Sequence, residues 1–134
     1  MRIGIPRALF YYNYYPLWKT LCETLGVECV VSPSTHKQTL ESGAARVTGE
    51  TCLPVKIYCG HVLALAGQVD YVLVPLIRQL GRDEENCPRL LGLPDLVRAV
   101  IPESPPLLSP EIDVSKGLRN AAAAIFELGR RLTH

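Results

Sequence analysis

The chain has 134 residues and a formal net charge of +1, with 48% hydrophobic and 20% charged residues. That length suits one compact domain, 1–134, with a core of its own, and the composition argues against a disordered chain. Near-neutral charge without a Lys/Arg stripe argues against an electrostatic nucleic-acid binder, and no apolar run approaches the ~20 residues of a membrane span.

Residues 2–6 read as a short apolar strand entering a turn, without the apolar core and cleavage site of a signal peptide. An aromatic-rich segment follows, and Pro16 suits the first turn of a helix. Leu17, Trp18, Leu21, Cys22 and Leu25 then recur at helical spacing, with Gly26 as a C-terminal cap. Residues 27–31 are rich in β-branched side chains and predict a buried strand. After the breaker Ser32-Pro33-Ser34, Thr35 with Gln38 gives a capping-box pattern for a short helix ending near Gly43. Residues 44–51 are ambiguous, with a short strand around Val47 as one reading. A helix is predicted from Leu53-Pro54 to Ala66, closed by Gly67, and a strand over residues 71–75. Residues 78–86 read as a long polar loop ending at Cys87-Pro88, and its acidic run Asp83-Glu84-Glu85 as a solvated face. Residues 93–100 predict a short helix and residues 107–108 a short strand. A last helix from near Ser115 would carry Leu118, Ala122, Ile125, Leu128 and Leu132 on one face, with Arg130 and Arg131 complementing its dipole.

Strands alternating with helices imply an α/β fold: a three-layer Rossmann-like or flavodoxin-like domain with a short, mostly parallel sheet. Ligands of such sheets sit at the carboxyl ends of the strands. The turn after the first strand, Gly4-Ile5-Pro6-Arg7-Ala8, lacks the glycine-rich dinucleotide fingerprint. No P-loop occurs, so the chain does not read as a self-contained ATPase or dehydrogenase, and no G-x-S-x-G elbow is present either.

Chemistry-bearing residues are then the cysteines. Five cysteines, an odd number, without a secretion signal, point to a reducing compartment, the cytoplasm, and away from a disulfide scaffold. Cys22 on the helical stripe and Cys29 in the second strand read as small buried hydrophobes. Cys52 and Cys87 differ, since each stands in a loop immediately before a helix. There unpaired N–H groups and the positive end of the dipole favour a thiolate or an anionic cluster. Cys59 falls seven residues after Cys52, on the same helix face but ~10 Å further along the axis. His61 follows it, and a lone histidine within a helix reads first as a hydrogen-bonded structural residue. At this point an iron–sulfur site, a Cys₃His zinc site and a Cys52–Cys87 redox disulfide all stay open.

Taken together, several ordered motifs resemble a known set: Ile3-Gly4-Ile5-Pro6-Arg7-Ala8-Leu9, Tyr15-Pro16-Leu17-Trp18-Lys19-Thr20, Glu50-Thr51-Cys52-Leu53-Pro54-Val55-Lys56, Gly60-His61-Val62 and Cys87-Pro88-Arg89-Leu90-Leu91-Gly92-Leu93-Pro94-Asp95. They are similar to the N-terminal region of proteins related to the activase and D-component of 2-hydroxyacyl-CoA dehydratases. The resemblance implies Rossmann-like or flavodoxin-like domains whose cysteines hold [4Fe-4S] or double-cubane clusters, fed with electrons by a separate ATPase activator. Cys52 and Cys87 match the cysteine positions of that family, with Cys59 as a candidate third ligand. Such relatives are longer and have a second domain that closes the site, so half a pocket is expected here. The expectation is an iron–sulfur redox or electron-transfer module, of anaerobic metabolism, without substrate chemistry of its own. A metal-free scaffold domain contacting an activase is the alternative. The partner would be a second copy or a sister dehydratase-type subunit, docked through apolar residues Leu53, Leu76, Ile77 and Leu90 near the cysteines.

Overall fold

The computed structural model describes residues 1–81, 84–85 and 87–133. In chain order these form β1 (Arg2–Ile5), α1 (Tyr11–Leu25), β2 (Glu28–Val31), α2 (Lys37–Ala44), α3 (Leu53–Leu65), β3 (Tyr71–Leu73), β4 (Leu76–Gly81) and β5 (Glu84–Glu85). Then come α4 (Pro88–Leu91), α5 (Leu93–Val100), β6 (Leu107–Leu108), β7 (Glu111–Asp113), a 3₁₀ turn (Val114–Lys116) and α6 (Leu118–Thr133). Four strands make an all-parallel sheet in the order β2-β1-β3-β6, and a second sheet has the order β5-β4-β7. This is the three-layer α/β architecture that the alternating pattern implies.

Strand alternation divides the core. Val72 and Val74 point to one face, among Val55, Tyr58, Val62 and Leu65 of α3 and Leu93 and Val97 of α5. Ile3, Ile5 and Leu73 point to the other, against Trp18 and Cys22 of α1 and Leu128 of α6. A fully buried Val or Leu contributes roughly 1.5–3 kcal/mol, so these two clusters are what hold the helices on the sheet.

Several expectations are corrected in detail. Pro16 lies inside α1, not in its first turn, because the helix begins at Tyr11. The aromatic residues carry the extra turn: Phe10 and Tyr14 have centroids 6.3 Å apart, and Tyr11 and Tyr15 4.9 Å, each at the i,i+4 spacing that stacks side chains along a helix. The N–H that Pro16 lacks would have served the carbonyl of Tyr12, an exposed residue that water can reach. Leu17 faces outward, while Trp18 and Cys22 face the core. Gly26 closes α1 as expected, with φ +68°, its N–H donating to Glu23 O (3.3 Å) and the Val27 N–H to Cys22 O (3.0 Å). β2 is a half-buried edge strand and not a fully buried one.

The cap of α2 sits one residue later than expected, at His36. Its Nδ1 accepts the Thr39 N–H while Thr39 Oγ1 accepts the His36 N–H, both at 3.2 Å. Residues 44–51 contain no strand. Of the loop expected over residues 78–86, the described residues 78–81 and 84–85 belong instead to β4 and β5, because residues 76–79 pair in parallel with β7, a strand not foreseen. Backbone bonds run on from one sheet to the other, Val72 N to Pro106 O, Val74 N to Leu108 O and Leu76 N to Pro110 O. Pro75 and Pro110, which have no N–H to give, fall where the strand assignment breaks. Glu84 and Glu85 are strand residues, whereas Asp83 of the acidic run lies outside the described residues. On α6, Leu118 is exposed and Ala122 is too, while Ala121, Ile125, Leu128 and Leu132 face the core.

Candidate functional site

A helix that crosses between parallel strands runs against them, so α1 and α3 both begin at the carboxyl end of the sheet. The turn after β1 and the loop after β2 meet there. Arg7 N–H donates to Ser32 Oγ at 2.9 Å, and Ser32 Oγ lies 2.6 Å from His61 Nδ1. Thr35 Oγ1 lies 2.7 Å from the other ring nitrogen, Nε2. His61 is buried with both nitrogens engaged, which is the structural role expected of it. Burial, followed by the charges of Arg7 and His36, holds its imidazole below the ordinary histidine value. The ring is therefore a neutral tie between β2's loop and α3.

Beside this tie a groove of about 330 Å³ opens, lined by Arg7, Leu9, Tyr12, Thr35, Leu53 and Ile57. Leu9 takes a left-handed φ of +53°, unusual for a branched side chain, and the Tyr12 hydroxyl reaches the Arg7 carbonyl at 3.4 Å. The Arg7 guanidinium lies 5.9 Å from the Tyr11 ring centroid.

Cys52 stands at the rim of the same end as the N-cap residue of α3, exposed, with its carbonyl accepting the Lys56 N–H at 3.1 Å. Pro54 follows at the start of the helix, where a missing N–H costs nothing. The loop leading to Cys52 is braced by three cations. Arg46 bonds Val100 O at 3.0 Å and pairs with Glu103; Lys56 Nζ bonds Gly49 O at 3.1 Å; Arg89 Nη1 bonds Glu50 O at 3.0 Å. Arg89 belongs to α4, whose N-cap residue is Cys87, also exposed, with its carbonyl accepting the N–H groups of Leu90 (2.9 Å) and Leu91 (3.2 Å). One hydrogen bond, from the side chain two residues after Cys87 to the carbonyl two residues before Cys52, thus ties the segments that carry the two cysteines.

Cys59 is elsewhere. It has 0% exposure, within the cluster of Val55, Val62, Val72 and Leu93, and burial pushes its thiol up to about 11. Among the described residues, no three His, Cys, Asp or Glu side chains come together in a group suited to a metal ion. Of the apolar residues expected to lie bare here, Ile77 is buried and Leu76 and Leu90 are half-covered. Leu53 and Tyr12 are the exposed ones, at 54% and 69%.

Sequence reading missed one arrangement altogether. Cys22 of α1 and Cys29 of β2 face each other across the Gly26 corner with their sulfurs 2.6 Å apart. Sharing a proton lowers the Cys22 thiol and raises that of Cys29. Burial explained each cysteine singly, and nothing in their spacing of seven separated a pair from two bystanders.

No described helix is long and apolar enough to cross a membrane. A family model described as CoA enzyme activase uncharacterised domain matches residues 2–134. No curated protein and no solved structure matches the chain.

Proposed function

Because this chain belongs to the CoA enzyme activase uncharacterised-domain family, we propose that it is a docking and redox module of a dehydratase-type system, contributing Cys52 and Cys87 as two thiolate ligands to an iron–sulfur cluster. The observation that carries this reading is that the segments bearing two exposed cysteines, each placed just before a helix, are tied by the Arg89–Glu50 hydrogen bond. Each cysteine is the residue immediately before a helix, Cys52 before α3 and Cys87 before the short α4, with its side chain on the surface. Two thiols fit half of the four-cysteine set that a cubane uses; a second copy or a partner subunit would give the rest. Cys59 is left out of the pair, since it is fully buried in the core cluster on the inward face of α3. Such a cluster, when bound, supplies one-electron transfer. The chain's own part is to hold thiolates at a braced rim and to present Leu53 and Tyr12 to whatever covers them.

The test is elemental. Protein purified without oxygen is expected to contain iron and acid-labile sulfide, with broad absorption near ~400 nm. Cys52→Ser and Cys87→Ser should each lose most of the iron, and Cys59→Ser should retain it. Colourless protein that stays without iron after anaerobic reconstitution would overturn the ligand role and leave a metal-free scaffold domain. One zinc per chain would do so in favour of a zinc site.

A further inference from the structure

Away from the cysteine rim, the Cys22–Cys29 contact is too short for two sulfurs that only pack against one another. The two Sγ atoms are 2.6 Å apart, about half an ångström beyond the ~2.05 Å of a disulfide bond, so closure needs almost no movement of α1 or β2. The corner between them is fixed independently by Gly26 and by the bond from Val27 N–H to Cys22 O. Access is one-sided: Cys22 is 5% exposed, whereas Cys29 is half-buried on the edge strand.

We infer that Cys22 and Cys29 form a reversible dithiol–disulfide site that exchanges with low-molecular-weight disulfides and, when oxidised, clamps α1 to β2. The exchange balances in two steps. A thiolate of the pair attacks one sulfur of the small disulfide, forming a mixed disulfide and releasing one small thiolate, which takes up the proton lost from the pair. The remaining cysteine then attacks the protein-side sulfur, forming the Cys22–Cys29 bond and releasing the second small thiolate with the second proton. Two protein thiols are oxidised and one small disulfide is reduced to two thiols. The site is separate from the rim of Cys52 and Cys87 and stands whether or not these bind a cluster.

Peptide mapping reads this directly, because trypsin leaves both cysteines in the single peptide 20–37, away from every other cysteine. Folded protein is equilibrated in mixtures of reduced and oxidised glutathione, quenched in acid, alkylated under denaturing conditions and digested. The expected result is that, as the oxidised fraction rises, this peptide passes from two alkylated cysteines to none and loses two hydrogens. Oxidation should also raise the melting temperature by roughly 5–10 °C, a shift absent in Cys29→Ser. The inference is overturned if the peptide remains doubly alkylated at every ratio. It is equally overturned if only glutathione adducts form, without the internal bond.

Discussion

His61 and Cys59 sit two residues apart on one helix, and burial acts on them in opposite directions. Desolvation disfavours the charged form of each, so the imidazole is lowered and the thiol is raised to about 11. For His61 this has a pH consequence. Unfolding returns the ring to water, where it binds a proton with a pKa of about 6.5; folded, it resists that proton down to a lower pH. Its contribution to stability is therefore intact above about 6.5 and is lost as pH falls towards the folded value. The melting temperature should drop between pH 7 and pH 5, and His61→Gln should flatten that drop while lowering stability at pH 7 through altered bonds to Ser32 and Thr35. Thermal melts of both proteins across this range decide it, and an unchanged slope in the variant would show that other groups carry the dependence. His61 was legible in sequence as a hydrogen-bonded residue of a helix. Its partners were not, because Ser32 and Thr35 reach it across a loop that only the packing of α2 on α3 brings close.

At the scale of elements, that packing depends on two glycines. A Cβ on Gly43 of α2 would stand 1.9 Å from Lys56 O, and one on Gly60 of α3 would stand 1.9 Å from Thr39 O, both backbone atoms that cannot swing aside. The helices cross at a distance that only paired glycines allow, and α3 is thereby set with Cys52 at the rim. Gly60→Ala should cost about 3 kcal/mol or force α2 outward, whereas Gly49→Ala, with nothing within 4 Å of its Cβ, should stay within about 0.5 kcal/mol. Chemical denaturation of the two variants checks this, and equal stabilities would refute the close crossing. Sequence periodicity revealed α1, α3, α5 and the strands β1, β2, β3 and β6, because each has a run of apolar residues with its own punctuation. It missed β4 and β7. Arg78, read as the start of a polar loop, and Glu111, assigned to no element, are joined there in an ion pair between paired strands, and strand pairing over such distances leaves no local pattern. On α6 the expected stripe holds at Ile125, Leu128 and Leu132 and fails at Leu118 and Ala122, where a run of alanines leaves the choice of face open and Ala121 is the one that packs.

For the whole molecule, the two cysteine turns share one rim with exposed Leu53 and Tyr12, while the third candidate, Cys59, lies inside. Under the proposed function, two cysteine ligands per chain would leave a cubane half-ligated, and a cluster held on an open rim would meet water and oxygen. On the proposed ligand role, a twofold axis through that rim would supply the missing ligands and cover the apolar side chains in one isologous interface. Association and cluster loading are then one linked equilibrium, and each should strengthen the other. Protein without iron is expected to run as a monomer at micromolar concentration, and anaerobically reconstituted protein as a dimer with about four irons per pair of chains. Light scattering behind gel filtration, with iron measured across the peak, follows both quantities together. Cys87→Ser should abolish dimer and iron at once, and Leu53→Asp should weaken the dimer while leaving the fold intact, since that side chain is half exposed in the single chain. A monomeric peak carrying its full iron would break the link, and the ligands completing the cluster would then have to come from the same chain.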